Sequence, residues 1–448
     1  METAIELVQK LKSSKRILMN NGLIPKKNDV PLLQEKEIPF EIPSNWVWER
    51  LSNVSLIQEG PGIRKHQYSE NGIQFLTVTN ILDGSLDMMK SQKYISFQEF
   101  EEKYSHFLIN KGDIVSSCSG ATWGKTALFN IDDKIMLNTS TLRLRFFNDL
   151  ADNKYLYYLT KSDFFKNQLK IHQTGQQPNY GFFHYSLIAI PIPPLEEQKT
   201  IVAKLDQAFA AIDQAKANIE KNIANAKELF QSKLNQTFSQ NTLSIETENN
   251  EGWQIKTLGE LGKVSMCKRI LKNQTLPKGE IPFYKIGTFG KEPDAYISKE
   301  IFEEYSTKYS YPKKGQILLS ASGTIGRTVI FDGKPSFFQD SNIVWIDNNE
   351  DKVLNDFLYQ FYKVCDWNPS KGATISRLYN DDLRRIKISF PNIEEQKRLI
   401  PQIEKLQEQT NLLATKYKQK LANLEELKKS ILEKAFKGEL STKEIEKV

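Results

Sequence analysis

The chain has 448 residues, of which 39% are hydrophobic, 26% charged and 11% aromatic. This balance is typical of globular proteins and excludes a fibrous or wholly disordered chain, and the length corresponds to about three domains. No apolar run approaches the roughly 18 residues that a membrane-spanning helix needs, and the N-terminus lacks the apolar core of a secretory signal, so we expect a cytoplasmic protein without a membrane partner. The net charge of +6 is compatible with a nucleic-acid partner but does not require one.

Residue types that bind metals or form disulfides are sparse. Cys118, Cys267 and Cys365 have no CxxC spacing, which argues against a disulfide framework and against a zinc site. The four histidines occur in no HExxH or HxxxH pattern. We therefore expect reduced packing cysteines, no metal and no cofactor in this chain.

The sequence nearly repeats itself at an offset of about 200 residues. Trp46 and Leu51 correspond to Trp253 and Leu258, and we expect both tryptophans to anchor cores. Three further matches follow in the same order: KGDIVSSCSGATWGKT (111–126) with KGQILLSASGTIGRT (314–328), YLYYL (155–159) with FLYQF (357–361), and IPPLEEQK (192–199) with FPNIEEQK (390–397). Short β-rich runs separated by turns predict that each copy is an α/β (α+β) globular domain with a twisted sheet.

Each copy ends in a long stretch that predicts one helix, with apolar residues at the alternating spacing of a coiled-coil seam. Eight of ten seam positions are apolar in both helices: Ile201, Leu205, Ala208, Ile212, Ala215, Ile219, Asn222, Ala226, Leu229 and Lys233 in the first, and Leu399, Ile403, Leu406, Thr410, Leu413, Tyr417, Lys420, Leu424, Leu427 and Ile431 in the second. Ile223, Phe230 and Leu432 are expected to form an exposed stripe for partner subunits. A helix lying on its own domain is the alternative, but about 44 residues extend about 66 Å, which exceeds one domain.

The linker between the copies predicts the direction of the second helix. Only about 14 residues separate Phe238 from Trp253, and they reach at most about 50 Å, too little to return along the first helix. We therefore expect the second helix to run antiparallel to the first. The predicted result is a pseudo-twofold dumbbell in which two globular domains are separated by an antiparallel two-helix coiled coil.

One turn suggests an enzyme. GATWGKT (120–126) resembles a phosphate-binding P-loop, in which Lys125 would contact phosphate, but three residues separate its glycines where that loop has four. The second copy, GTIGRT (323–328), is shorter still. The Ser-Gly pairs in these segments, Ser119-Gly120 and Ser322-Gly323, predict a strand followed by a tight turn.

The ordered motifs carry a family resemblance. The duplication, IPFEIPSNWVWERL (38–51), the two EEQK entries to the long helices and the ending SILEKAFKGEL (430–440) resemble the specificity subunit of type I restriction-modification systems. The resemblance implies a non-catalytic chain whose two target recognition domains bind double-stranded DNA, and whose helices dock two methyltransferase subunits, with restriction subunits as further partners. S-adenosylmethionine, and ATP with Mg, are then expected on the partners.

The implied domains are residues 41–190 and 241–390, with spacer helices in 191–240 and 391–448 and a helical extension in 1–40. We expect a short helix at residues 3–19 to pack near the end of the second long helix. Two clusters in each domain carry side chains that bind phosphates and base edges. The first clusters are Arg64, Lys65 and His66, and Lys268, Arg269 and Lys272; the second are Gln173, Gln176, Gln177 and Asn179, and Lys371, Ser376 and Arg377.

Two alternatives remain open at this point. The chain could be a coiled-coil adaptor that joins proteins without binding DNA, or it could be an enzyme, in which substitution of Lys125 would abolish turnover by the isolated chain. The residue clusters themselves could be ordinary solvated loops. The adaptor would bind its partners without strong salt dependence, whereas contacts to phosphates weaken steeply as the salt concentration rises.

Overall fold

The computed structural model describes residues 2–25, 30–173, 178–243, 252–367 and 377–440. It divides into two compact units. Unit 1 comprises Met1–Asn218 and Lys420–Val448, and unit 2 comprises Ile219–Gln419. The helices are α1 (Ala4–Asn20), α2 (Leu51–Val54), α3 (Phe97–Glu99), α4 (Asn153–Lys161), α5 (Asp163–Lys170), α6 (Phe182–Ser186), α7 (Leu195–Leu243), α8 (Leu258–Leu261), α9 (Lys299–Lys308), α10 (Asn355–Tyr362), α11 (Asn380–Arg385) and α12 (Ile393–Phe436).

Unit 1 contains a four-stranded antiparallel sheet as its centre. Its strands are β1 (Val47–Arg50), β2 (Ser55–Glu59), β3 (Ile73–Phe75), β4 (Tyr94–Ile95), β5 (Ile114–Ser117), β6 (Thr126–Leu128), β7 (Ile135–Met136), β8 (Thr141–Phe146) and β9 (Ala189–Ile192). The central sheet has the order β2-β8-β5-β6, a second sheet has the order β4-β3-β7, and β1 pairs with β9. Only β3 and β7 pair in parallel among these strands.

Unit 2 repeats this topology strand for strand. Its strands are β10 (Gln254–Thr257), β11 (Gly262–Ser265), β12 (Ile281–Tyr284), β13 (Tyr296–Ile297), β14 (Ile317–Ser320), β15 (Thr328–Ile330), β16 (Phe337–Phe338), β17 (Ile343–Asn348) and β18 (Lys387–Phe390). The sheet orders are β11-β17-β14-β15 and β13-β12-β16, and β10 pairs with β18. The predicted duplication of domains that combine helices and sheets is confirmed.

The central strands are buried because each sheet is covered on both faces. In β5 every residue is buried, and Ile114 belongs to the largest apolar cluster of the unit whereas its neighbour Val115 belongs to another. In β14 Leu319 and Leu318 alternate between two clusters in the same way. Successive side chains point to opposite faces of a strand, so this double coverage explains why adjacent apolar residues, Ile114-Val115 and Leu318-Leu319, are both buried.

The N-terminal helix α1 packs where the sequence predicted. A capping box joins Thr3 to Glu6 and fixes its first turn. Leu7 and Leu11 are fully buried in the same cluster as Phe436, near the end of α12. This contact lies within unit 1 and fastens the extension to the domain.

The long helices α7 and α12 run in opposite directions where they meet in unit 1. Asp213 pairs with Lys428 at 3.4 Å, and Lys216 pairs with Glu425, so rising residue numbers in α7 meet falling numbers in α12. The antiparallel direction predicted from the linker is found in this part of the helices.

The buried face of α7 differs from the predicted seam beyond Ile219. Asn222, Leu229 and Lys233 are exposed, Leu229 by 66%, whereas Ile223 and Phe230 are half-buried. An α-helix drifts by about 20° per heptad relative to a strict seven-residue repeat, so the apolar face moves by one position along a long helix. The prediction that Ile223 and Phe230 form an exposed stripe is wrong.

Two further predictions about apolar residues need correction. Leu432 is 5% exposed and belongs to the core of unit 1, because the end of α12 packs against the domain rather than standing free. Trp46 is buried at 5% exposure, as predicted, but Trp253 is only partly buried, with its ring 6.5 Å from that of Phe357.

Candidate nucleic-acid interface

Strand pairing brings several loops of unit 1 to one edge of the central sheet. Glu59 at the end of β2 lies opposite Leu142, and Ser117 at the end of β5 lies opposite Thr141, so the loops after β2 and β5 meet the loop before β8. We call this edge, formed by residues 60–66, 118–122, 138–140 and 178–181, the loop end of unit 1.

Hydrogen bonds join the loops at this edge. The backbone N–H of Cys118 donates to the carbonyl of Ser140 at 2.8 Å, and the N–H of Tyr180 donates to the carbonyl of Cys118 at 2.9 Å. The hydroxyl of Thr139 donates to the carbonyl of Pro61 at 3.1 Å. We call these hydrogen-bonded loops the frame of the loop end. The two candidate clusters of unit 1, which are about 110 residues apart in sequence, lie on either side of this frame.

The loop end of unit 2, formed by residues 267–272, 321–324, 339–342 and 377–379, has the same connections. The N–H of Ala321 donates to the carbonyl of Asn342 at 2.8 Å, and the N–H of Leu378 donates to the carbonyl of Ala321 at 2.9 Å. The turns before β8 and β17 each hold a non-glycine residue in the left-handed region, Ser140 with a φ of 69° and Ser341 with a φ of 56°. The turn of unit 2 is one residue longer, because the carbonyl that accepts from Ala321 belongs to Asn342, the residue after Ser341.

The first cluster of unit 1 lies on an exposed 3₁₀ turn, Lys65–Gln67. Arg64, Lys65 and His66 are all exposed. The side-chain oxygen of Gln67 accepts from the N–H of Arg64 at 2.9 Å, and its amide donates to the hydroxyl of Tyr104 at 3.1 Å. The turn thus presents its basic side chains to solvent from a fixed backbone.

Unit 2 has the same turn at Lys272–Gln274. The Gln274 oxygen accepts from the N–H of Leu271 at 2.8 Å, and its amide donates to the hydroxyl of Tyr305 at 3.1 Å. Lys272 is exposed and occupies the place of Lys65. Lys268 and Arg269, which precede the turn, have no basic counterparts in unit 1, where Pro61 and Gly62 stand.

Both of these extra cations already have partners in unit 2. The ammonium of Lys268 lies 4.7 Å from the ring centre of Tyr309. Arg269, with 67% of its side chain exposed, pairs with Asp340 at 2.8 Å through Nε. Arg269 is therefore held beside the turn that precedes β17 by a partly exposed ion pair, in which the Asp340 side chain is 19% exposed.

The second cluster is described in part. Gln176, Gln177, Lys371 and Ser376 lie outside the described residues. Gln173 is exposed, and its side-chain oxygen accepts from the Tyr180 hydroxyl at 3.4 Å. Tyr180 itself is buried, and burial raises its pKa.

Asn179 and Arg377 occupy equivalent places in the two loop ends. Asn179 is exposed and forms an isolated β-bridge with Ser119, and Arg377 forms one with Ser322. The guanidinium of Arg377 donates to the carbonyl of Ser341 at 3.4 Å. In unit 2 the Asp340–Asn342 turn therefore contacts both candidate clusters, through Arg269 and Arg377.

Sequence analysis did not single out two residues that lie beside the loop end of unit 1, Glu59 at the end of β2 and Phe183 in α6. The Glu59 carboxylate accepts from the N–H of Phe182 and lies against Gly181, where a side chain would require Glu59 to move. Phe183 is 66% exposed beside this contact. An acidic residue can accept from cytosine, and an exposed aromatic residue can contact bases, but neither residue belongs to a basic or amide cluster that would reveal it.

The glycine-rich turn at Gly120 is not a P-loop. It leads into strand β6 (Thr126–Leu128), whereas a P-loop leads into a helix whose N-terminus receives the phosphates. Gly120 and Gly323 both have positive φ, of 71° and 66°, so the predicted strand and tight turn are present in both units.

The described residues contain no group of three or more His, Cys, Asp or Glu side chains that could hold a metal ion. In the same part of the chain, no helix is long and apolar enough to cross a membrane. Cys118 and Cys267 are buried, and burial raises the pKa of both thiols, that of Cys267 to about 12. Both therefore remain protonated packing residues near neutral pH.

Comparison with known protein families identifies the family to which the chain belongs. Residues 43–225 and 250–423 both match the family described as the type I restriction modification DNA specificity domain. The chain therefore belongs to this family and carries its domain twice.

Individual relatives agree with this assignment. "Putative type I restriction enzyme specificity subunit S.HindORF215P" of Haemophilus influenzae is 41% identical over 361 residues, which cover 75% of this chain and 86% of the relative. The StySPI specificity subunit of Salmonella potsdam is 26% identical over 430 residues, which cover 90% of each chain. The function predicted from the sequence, DNA specificity in a type I restriction-modification system, is confirmed at this level.

Solved structures support the fold. The crystal structure of the HsdS subunit from Thermoanaerobacter tengcongensis has a TM-score of 0.57 at 22% identity and covers 90% of this chain and 100% of that one. A chain from a structural study of complex assembly and conformational transition of the type I R-M system has a TM-score of 0.69, also at 22% identity, with the same coverage.

Proposed function

We propose that the chain is a non-catalytic specificity subunit, in which each globular domain reads one half of an asymmetric bipartite target in double-stranded DNA. The observation that carries this proposal is the pair of loop ends: the same hydrogen-bonded frame occurs twice, with unlike side chains on it. Asn179 stands where unit 2 has Arg377, and Arg64 stands where it has Leu271. Two similar frames with different chemistry suit two different half-sites.

We assign DNA contacts to the two clusters of each domain. In domain 1 these are Arg64, Lys65, His66, Gln173, Gln176, Gln177 and Asn179, and in domain 2 they are Lys268, Arg269, Lys272, Lys371, Ser376 and Arg377. Basic side chains at the sheet edge supply phosphate contacts, and amide and guanidinium groups supply base contacts in the major groove. The domains are residues 41–190 and 241–390, with residues 1–40 as an N-terminal extension.

The long helices serve as spacer and docking surface in this proposal. Residues 191–240 and 391–448 would form an antiparallel two-helix coiled coil that sets the distance between the half-sites and gives the subunit a pseudo-twofold dumbbell form. The opposed ion pairs of Asp213 with Lys428 and of Lys216 with Glu425 support the antiparallel arrangement. We assign two methyltransferase subunits to the outer faces of these helices.

The chemistry is assigned to partner subunits. Methyltransferase subunits would supply methylation with S-adenosylmethionine, and restriction subunits would supply cleavage with ATP and Mg. No cofactor is assigned to this chain, and the assembled complex would act on DNA in the cytoplasm.

Salt-dependent binding tests the DNA assignment. The chain assembled with its methyltransferase subunits is titrated with duplex DNA over a range of salt concentrations. A protein that neutralises several phosphates loses affinity steeply, with a slope of about −0.9 per phosphate contact in a plot of log K against log salt. A complex that assembles normally but binds duplex DNA without salt dependence would favour a protein adaptor and contradict the proposal.

A further inference from the structure

The equivalence of the two loop ends allows their side chains to be compared position by position. Phosphates are the same in every half-site, whereas base edges differ. A side chain that contacts phosphate is therefore expected to be alike in the two domains, and one that reads a base is expected to differ. Among the described residues, Lys65 and Lys272 are alike, whereas Asn179 and Arg377 differ although their backbones occupy equivalent places.

The position that is alike is the first residue of the 3₁₀ turn. Lys65 and Lys272 follow equivalent strands, and the same glutamine and tyrosine hydrogen bonds fix their turns. Both lysines are exposed, and neither ammonium has a partner among the described residues. Their neighbours differ between the domains, since Arg64 and His66 correspond to Leu271 and Asn273.

The position that differs is the residue that forms an isolated β-bridge with the turn after β5 in unit 1 and after β14 in unit 2. Asn179 and Arg377 form equivalent isolated bridges to Ser119 and Ser322. The residue after each is fastened by a backbone hydrogen bond of 2.9 Å to the same turn, from Tyr180 in unit 1 and Leu378 in unit 2. The backbone is thus placed alike, while the side chain is an amide in one domain and a guanidinium in the other.

We propose that Lys65 and Lys272 are equivalent phosphate anchors, and that Asn179 and Arg377 are the equivalent base-reading residues of the two domains. This inference rests on the proposed function. Asparagine pairs with adenine through two hydrogen bonds, and arginine pairs with guanine in the same way. Asn179 therefore reads an adenine in one half-site, and Arg377 reads a guanine in the other.

The anchor role is tested on two duplexes with the chain in complex with its methyltransferase subunits. One duplex has random sequence, and the other carries the target mapped by methylation with the wild-type complex. Lys65→Met and Lys272→Met should each reduce the salt slope by about 0.9 on both duplexes, without changing the preferred sequence. Lys65→Arg should keep the wild-type slope. Lys314→Met, before the opposite end of β14, is the control and should leave the slope unchanged.

The base-reading role is tested by single-position variants of the mapped target. Asn179→Ala should reduce discrimination about ten- to a hundredfold at one base pair of one half-site, and Arg377→Ala should do so in the other. Arg377→Lys keeps the charge but loses the planar fork, so it should lose discrimination as well while preserving the fold and the binding to random duplex.

The outcomes separate this inference from the proposed function. If the wild-type complex binds DNA with a steep salt slope but the lysine variants keep that slope or change the preferred sequence, the anchor assignment is wrong. If the Asn179 and Arg377 variants discriminate as the wild type does, or change both half-sites alike, the base-reading assignment is wrong. A wild-type complex that does not bind DNA would contradict the proposed function itself.

Discussion

The side-chain oxygen of Gln198 accepts a hydrogen bond of 3.0 Å from the backbone N–H of Asp152. Its amide donates to the carbonyl of Pro193 at 2.8 Å, and the side chain is fully buried. Gln396, the matching residue of the second EEQK motif, accepts from the N–H of Leu354 at 2.9 Å. The glutamine of the motif thus joins the first turn of each long helix to the start of a helix in its own domain, which fixes the direction in which the long helix leaves the domain.

Replacement of this glutamine should destabilise its unit. Gln198→Leu leaves the partly buried N–H of Asp152 and the buried carbonyl of Pro193 without this partner, so we expect a loss of about 1–3 kcal/mol in the free energy of unfolding, measured by urea denaturation. Gln214→Leu is the matched control, because Gln214 is exposed on the same helix and bonds only to Asn218, at 3.1 Å. Equal effects of the two substitutions would show that the buried hydrogen bonds do not matter.

The shifted apolar face of α7 predicts unequal effects at two adjacent residues. Phe230 packs against the core of unit 2, whereas Leu229 is 66% exposed. We expect Phe230→Ala to lower the free energy of unfolding by about 1–3 kcal/mol and Leu229→Ala to change it by less than about 0.5 kcal/mol. The strict seven-residue seam instead places Leu229 in the interface and predicts the larger loss for Leu229→Ala. The two substitutions therefore show which face of α7 is buried.

The ion pair of Glu37 with Arg50 predicts a pH dependence. The hydrogen bond from Arg50, whose side chain is 3% exposed, holds the pKa of the Glu37 carboxyl below its ordinary value of 4.5. Because this pKa is lower in the folded chain than in the unfolded chain, the stabilisation is complete above pH 4.5 and is lost as the pH falls through the folded value.

Because the Glu37 side chain is 36% exposed, solvent screens the pair, so Glu37→Gln should reduce stability at pH 7 by less than about 1 kcal/mol and have a shrinking effect below pH 4.5. Urea denaturation at several pH values measures the difference. Glu35→Gln alters an exposed carboxylate in the same 3₁₀ turn and serves as the control. A difference between Glu37→Gln and the wild type that stays constant down to pH 3 would rule out the ion pair as its origin.

Carbodiimide coupling tests the direction of the long helices. This reagent forms an amide bond between a lysine amine and a carboxylate that are already in contact. Mass spectrometry should therefore detect peptides linked through Lys216 and Glu425 and peptides linked through Lys428 and Asp213. Lys216→Arg should abolish the first link and leave the second. Links joining the start of α7 to the start of α12 would instead indicate parallel helices.

The sequence predicted the fold well where local patterns repeat. The four collinear matches predicted the duplication, and the EEQK motifs marked the start of α7 and α12 within two residues. The segments 114–117 and 317–320, which precede the Ser-Gly turns, are strands as the sequence predicted. These features depend on residues close together in the chain.

The sequence predicted the burial and pairing of side chains less well where these depend on residues far apart in the chain. The burial of Leu432 depends on the core of unit 1, and the exposure of Leu229 depends on a small drift accumulated over a long helix. The equivalence of Lys65 with Lys272 rests on matching turns rather than on matching neighbours. The pairing of Arg269 with Asp340 joins residues 71 positions apart, which no local pattern shows.

The most direct test of two unlike reading domains is a methylation map of the complex. The chain is expressed with its methyltransferase subunits, with and without replacement of residues 45–190 by the corresponding domain of another family member, and the methylated bases are mapped. The account predicts a split, asymmetric target of which the replacement changes one half and leaves the other half intact. A continuous or symmetric target, or a replacement that changes both halves, would contradict it.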